Sequence, residues 1–242
     1  MRRTLSLTPI ALALALLAVA VAVPAQATPV IRGSGGGGGA APAVAAFTSV
    51  NTGATEVSSI EVTKPSGTAE GDYLVAFVSK DSTTGTGWTL PSGWNQVSNS
   101  TGGPIQHKLH ADKTAGGSEP ATYTFEHDDS DNMRAVMLRI TGAASSGQLE
   151  TFSTDTTSGV NPTCPSITTL GPNRLILYAI FQDTSVATLT EPAGSTLVSY
   201  GAASTLSIGV ATKVQASAGS TGAATWSGNT GTARCFSVAI KP

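Results

Sequence analysis

From residue 44 onward, apolar and β-branched runs recur roughly every ten to fifteen residues, separated by Gly, Pro, Ser and Asn. This is the signature of short strands rather than of a 3.6-residue helical stripe. Two runs stand out, Gly71 to Asp81 (GDYLVAFVSKD) and Gly171 to Asp183 (GPNRLILYAIFQD). Each is bounded by turn residues and too short for a core helix, so each reads as a buried strand. In the first, Tyr73, Val75 and Phe77 alternate with Leu74, Ala76 and Val78. In the second, Ile176, Tyr178 and Ile180 alternate with Leu175, Leu177, Ala179 and Phe181. An antiparallel sandwich strand needs only its inward face apolar. With both faces apolar, something must cover the outer one: the loop Thr83–Thr89 with Trp88, the segment before Val57, or another subunit. The Tyr73, Val75, Phe77 set, with Tyr178 as the counterpart of Phe77, is expected to be covered at least in part by a partner or a second copy of the chain, or to bind a ligand.

The echo extends beyond these two runs: Asp72 and Asn173, Pro91 and Pro192, Val97 and Val198, and Phe125 and Trp226 all lie 101 residues apart, and Ile140 and Ile240 lie 100 apart. A unit of about a hundred residues written twice is a statement about fold. Strands are predicted at Ala46–Val50, Val57–Thr63, Tyr73–Lys80, Trp94–Ser98, Ile105–Asp112, Ala121–Glu126 and Met133–Thr141, then at Gln148–Ser153, Cys164–Thr169, Arg174–Gln182, Thr196–Tyr200, Thr205–Lys213, Ala223–Ser227 and Arg234–Lys241. The fold class is therefore all-β, an antiparallel jelly-roll-like β-sandwich built from an internal duplication, with two tandem immunoglobulin-like sandwiches as the alternative. The short junction Gly142–Gly147 and the few large apolar residues per unit favour one larger sandwich, because the buried fraction of surface rises with size.

A resemblance follows from particular motifs: the Gly71-Asp72 pair leading an apolar strand, P-S-G-W at Pro91–Trp94, E-P-A-T-Y-T-F at Glu119–Phe125, and the run Ala135–Ile140 before Gly142, with E-P-A-G at Glu191–Gly194 in the second unit. This series resembles a domain of phage tail proteins and of secreted bacterial surface proteins. The resemblance implies a jelly-roll-like sandwich used for surface display, attachment or ligand binding, and it brings no catalytic residues.

Composition narrows the partners. Only 12% of residues are charged, the formal net charge is -2, and no Lys/Arg cluster exists, so the electrostatic footprint of a nucleic-acid binder is missing. Arg2 and Arg3, the apolar segment Ile10–Val23 and the A-x-A site Ala25–Ala27 have the layout of a secretory signal peptide, residues 1–27. Its apolar part is shorter than the ~20 residues a helix needs to cross a bilayer, so no transmembrane segment is expected after cleavage. Residues 28–43, with GSGGGGG at 33–39, read as a flexible Gly-rich linker, leaving 44–242 as the folded domain, with repeat units at about 44–142 and 143–242. Export also places Cys164 and Cys235 where a pair tends to bridge, and a disulfide between them is expected.

Candidate chemistry is sparse. The three histidines are His107, His110 and His127, with Asp112, Asp128, Asp129 and Asp131 near them in sequence. Strand alternation puts His110 on one face with Lys108 and Asp112, and His107 on the other. A metal site from His110, His127 and Asp128 is conceivable, but the spacing matches no zinc pattern, and the turn Asp128–Asn132 lacks the order and Gly of an EF-hand loop. A bound calcium ion there is the minority reading, and otherwise no cofactor is expected. No G-x-S-x-G elbow or recognisable Ser-His-Asp arrangement occurs. Glu119, Glu126, Glu150 and Glu191 leave carboxylate pairing open, although Glu119 and Glu191 precede Pro at turns. Trp88, in a Gly/Thr-rich segment with Leu189 in the equivalent place, either offers a flat face to a glycan or a partner surface or plugs the end of the core from a loop; Tyr73 and Phe77 are the further ligand-binding candidates. The expected function is that of a secreted, non-catalytic binding, attachment or assembly protein acting on an extracellular glycan or protein surface, with self-association. The alternatives are a carbohydrate-binding module and a secreted hydrolase.

Overall fold

The described residues form seventeen strands in the order β1 (Ala43–Asn51), β2 (Val57–Thr63), β3 (Tyr73–Lys80), β4 (Trp88–Thr89), β5 (Asn95–Ser100), β6 (Lys108–Thr114), β7 (Thr122–Asp131), β8 (Met133–Thr141), β9 (Leu149–Thr157), β10 (Thr163–Cys164), β11 (Thr168–Thr169), β12 (Arg174–Gln182), β13 (Thr196–Ala203), β14 (Leu206–Gln215), β15 (Gly219–Ser220), β16 (Ala224–Thr225) and β17 (Ala233–Ile240). This computed structural model describes residues 39–242 apart from 82, 83, 86, 101–106, 187, 204, 229 and 230. The expected signal peptide and residues 28–38 of the expected linker lie outside the described residues. Every strand pairing is antiparallel.

Two five-stranded sheets form the middle of the molecule, ordered β1-β8-β3-β6-β5 and β13-β14-β12-β17-β9. Read from β9, the second order is β9-β17-β12-β14-β13, so each half runs first strand, last strand, buried central strand, then the following hairpin. Outside the first large sheet lies the three-stranded sheet β2-β7-β4. Outside the second lie, among the described residues, the short ladders β10-β16 and β11-β15 and an isolated bridge, Thr190 to Ser227.

Three apolar layers separate these sheets. The first packs Leu74, Ala76 and Val78 of β3 against Ile60, Val62, Tyr123 and Phe125, with Trp88 and Trp94 at its rim. The second joins the halves: Tyr73, Val75, Phe77, Val136, Leu138 and Ile140 meet Leu175, Leu177, Ala179, Phe181, Phe236 and Val238. The third packs Ile176, Tyr178 and Ile180 against Cys164, Leu189, Ala224 and Trp226. Hence β3 is buried at all eight positions, and its doubly apolar sequence has a simple cause: a core lies on each side of it.

The described residues form one compact unit. The architecture combines the two sequence alternatives, since each half owns a two-layer core, as tandem sandwiches would, and the large sheets then pack face to face across a shared third core.

The expectation that a partner covers Tyr73, Val75 and Phe77 is corrected here. The cover is the chain's own second half, and Phe77 and Tyr178 are 0% and 1% exposed. Nor are these two residues counterparts. Tyr73 pairs with Ile140 and Leu175 pairs with Ile240. Position 73 therefore corresponds to 175, and Phe77 corresponds to Ala179, which puts Phe77 in the shared core and Tyr178 on the opposite face.

The disulfide Cys164–Cys235 is present, with Cα atoms 4.7 Å apart. It staples β10 in the outer layer to β17 in the large sheet, and both cysteines are fully buried beside Trp226.

Candidate functional site

The densest chemistry lies at the pole where β3 and β12 both end. Strand alternation in β7 turns Tyr123, Phe125 and His127 inward. There His127 Nε2 lies 2.9 Å from His107 Nδ1, and the rings cross edge-on with centroids 4.3 Å apart. His127 Nδ1 is 3.0 Å from Asp128 Oδ1. His107 holds the left-handed backbone conformation, φ 55°, as the chain enters β6, and that turn aims its ring into the core. Both rings are held below the ordinary histidine pKa. Burial is the main cause, and for His107, lowered to about 4, the neighbouring His127, Lys80 and Lys108 add to it. The facing nitrogens are joined by one hydrogen bond, one ring donating and the other accepting.

Beside this pair, the buried Lys80 ammonium reaches Asp129 Oδ2 at 3.1 Å, and Thr84 donates to the same carboxylate. Trp88 pairs through β4 with His127 of β7 and sets its ring edge-on against that imidazole, centroids 5.0 Å apart. It is 8% exposed, so its flat face is closed to a sugar ring, which corrects its place as the exposed glycan platform. Tyr73 and Phe77 are likewise corrected as surface ligand contacts. The Tyr73 hydroxyl donates to Asp112 Oδ2 at 2.5 Å, while Phe77 stacks on His110 and touches Phe181 and Phe236.

The proposed metal trio is split by the first large sheet. His127 and Asp128 sit on its outer side, whereas His110 points into the shared core among Phe77, Phe152 and Phe236. Burial alone lowers His110 to about 3. Among the described residues, no three His, Cys, Asp or Glu side chains gather as metal ligands.

On the shared-core side of the same pole, a second charged group joins the halves. Lys108, wholly buried on β6, donates to the Lys80 carbonyl at 3.0 Å and to Asp183 Oδ1 at 2.6 Å. Asp183 follows β12 just as Asp81 follows β3, and Asp81 accepts from Thr205 immediately before β14. The two contacts are reciprocal, each half's post-strand aspartate reaching the start of the second strand of the other half's hairpin, β6 or β14. Next to them Arg134 lies across Gly201, where a Cβ would come within 1.6 Å of its guanidinium. Only glycine admits that cation here. Sequence reasoning singled out neither Lys108 nor Asp183; the available signal was the Asp that closes both echo runs.

A separate opening in the second half, about 200 Å³, is lined by Tyr178, Pro192, Lys213, Thr221 and Thr225 among others. No family model, characterised protein or solved structure matches the chain. The class is thus defined by fold alone: an all-β protein of antiparallel sheets packed in layers and pinned by one disulfide.

Proposed function

We propose that the protein is a secreted, non-catalytic β-sandwich that binds, attaches or assembles at an extracellular surface. The observation that carries the reading is the edge structure. β1, β5, β9 and β13 flank the two large sheets and each is paired on one side only within those sheets. Such edges present free backbone donors and acceptors to which an extended segment of another protein can add. β9 is one such edge, nine residues long and rich in Ser and Thr, with Phe152, Asp155 and Thr156 exposed along it. The buried disulfide supports an oxidising compartment. The signal-peptide pattern and the resemblance to phage tail and secreted bacterial surface domains support the same setting.

The test is export and binding together. Expressed with its own N-terminus in a secreting host, the protein should appear outside the cell beginning at Thr28, and should be retained on immobilised extracellular protein or polysaccharide. Retention should fall when the exposed Asp155 and Thr156 on β9 are replaced by Lys. Turnover of generic esterase or glycosidase substrates would favour the hydrolase alternative instead.

The carbohydrate-binding alternative is supported by the opening beside Tyr178, whose hydroxyls and ammonium suit a sugar-sized ligand. Titration with oligosaccharides, with Lys213→Ala as the control, separates that reading from strand addition at β9.

A further inference from the structure

We propose that Lys108 and Asp183 are the two halves of an intramolecular isopeptide bond, a covalent cross-link between the first large sheet and the end of β12. The geometry points there directly. The amine and the carboxyl oxygen are 2.6 Å apart, closer than the other buried lysine, Lys80, is to its carboxylate at 3.1 Å. The Lys108 side chain is 0% exposed and that of Asp183 22%, whereas Asp129, the partner of Lys80, is 34% exposed. The Lys80 carbonyl, held by the β3 backbone, fixes the Lys108 nitrogen against the carboxyl.

The surroundings favour the neutral, reactive forms of both groups. Burial depresses the Lys108 ammonium, and burial together with the charge of Asp81 raises the Asp183 carboxyl; the mutual attraction of the pair works the other way. One proton passing from the ammonium to the carboxylate gives an amine facing a carboxylic acid and removes two charges from a desolvated site. The Lys108 Nζ lone pair then attacks Asp183 Cγ. A Nζ–Cγ bond forms and a Cγ–O bond breaks. The proton shed by the nitrogen joins the departing hydroxyl, and one water leaves. No oxidant, cofactor or further reactant enters. The shielded site favours the reaction by keeping bulk water from the tetrahedral centre.

The proposal is independent of which surface the protein binds. It gives the shared core a covalent clasp at the pole opposite the junction Gly142–Gly147, and complements the disulfide, which lies wholly within the second half.

The experiment is mass spectrometry of the purified full chain, reduced and denatured. The expected intact mass is one water below that of the sequence, and Lys108→Arg and Asp183→Ala each restore the full mass. In a tryptic digest of the unaltered protein, cleavage after Lys108 is absent, because trypsin does not cut at an acylated lysine, and a branched peptide joins Lys108 to Asp183. This digest needs no variant to fold. Full intact mass with ordinary cleavage after Lys108 overturns the proposal, as does a missing water whose branched peptide maps to other residues.

Discussion

The two halves share a strand order but secure their outer layers differently. In the first, β2, β7 and β4 form a continuous sheet, and β2 and β7 pair from Val57–Asp131 to Thr63–Thr122. In the second, the corresponding layer is reduced to two-residue ladders, interrupted where Pro165 separates β10 from β11. Proline has no N–H to give a ladder and is confined to such breaks. The half with the thin outer layer carries the disulfide, while the half with the full sheet carries all three histidines, all buried. The halves are therefore expected to differ in response, the second to reduction and the first to acid.

The largest expected effect tests that contrast on the second half. Replacing Cys164 and Cys235 with Ala together opens a loop of 71 residues, and should lower unfolding stability by about 4 kcal/mol on the chain-entropy account. Denaturant titration with a near-ultraviolet probe of Trp226, which sits in the same apolar layer, reads it. If the double variant keeps its midpoint, the short ladders suffice and the contrast fails.

The next test asks whether the halves are energetically separate. Phe77→Ala removes a ring at the centre of the shared core and should cost about 3 kcal/mol. Because the second half loses the cover over Phe181 and Phe236, calorimetry should show both halves shifting as one transition. Two transitions, only one of them moved, would mean that the shared core does not couple them.

Phe77 also shows how far the sequence could be read. The places of the long strands were legible, because apolar runs and Gly, Pro and Asn turns punctuate the chain, and β3 and β12 have the predicted limits; but β7 runs on to Asp131 and β9 to Thr157 through polar residues, and the predicted strand Cys164–Thr169 is two short ones. What failed was the face. Aligned from Asp72 and Asn173, Phe77 falls on Tyr178. Aligned from Asp81 and Asp183, the residues that end the strands, it falls on Ala179, and the structure follows the second alignment. A one-residue slip turns every side chain to the other face. The same blindness affected the pole. Lys108 and Asp183 are far apart in sequence, and only the stacking of two sheets brings them to 2.6 Å. No apolar run marks β4, since Trp88 stands among Gly and Thr, yet two residues of pairing to β7 are enough to turn its indole inward.

Acid should act on the first half. The folded-state values of about 4 for His107 and about 3 for His110 lie below the ~6.5 of an unfolded histidine. The unfolded chain therefore binds more protons, so the associated stability is complete above pH ~6.5 and declines as the pH falls toward these lower values. Urea midpoints should drop between pH 7 and pH 5, a range in which ordinary carboxylates stay ionised. His107→Gln and His110→Gln should flatten that slope, whereas the double Cys→Ala change should leave it intact. A midpoint constant from pH 7 to pH 5 would break the acid side of the comparison.

The smallest effect is one in which the halves should agree. Arg139 on β8 bonds Asp72 Oδ2 at 2.7 Å, just ahead of β3, and Arg174, which opens β12, pairs with Glu150 on β9. Each pair ties the start of a central strand to a nearby strand of its own sheet, and each retains some solvent contact on the arginine side. Partly exposed pairs of this kind contribute about 1 kcal/mol or less, and salt weakens them. The carboxylates also accept from backbone, Asp72 from the Ala69 N–H and Glu150 from the Leu170 N–H, so truncating either one frees a turn as well as an arginine. Asp72→Ala and Glu150→Ala should therefore cost similar small amounts, each reduced in 1 M NaCl but not abolished, because the lost turn contact is less sensitive to salt than the ion pair. A cost for one variant several times that of the other would show that the likeness of the halves stops at strand order and does not extend to how their central strands are anchored.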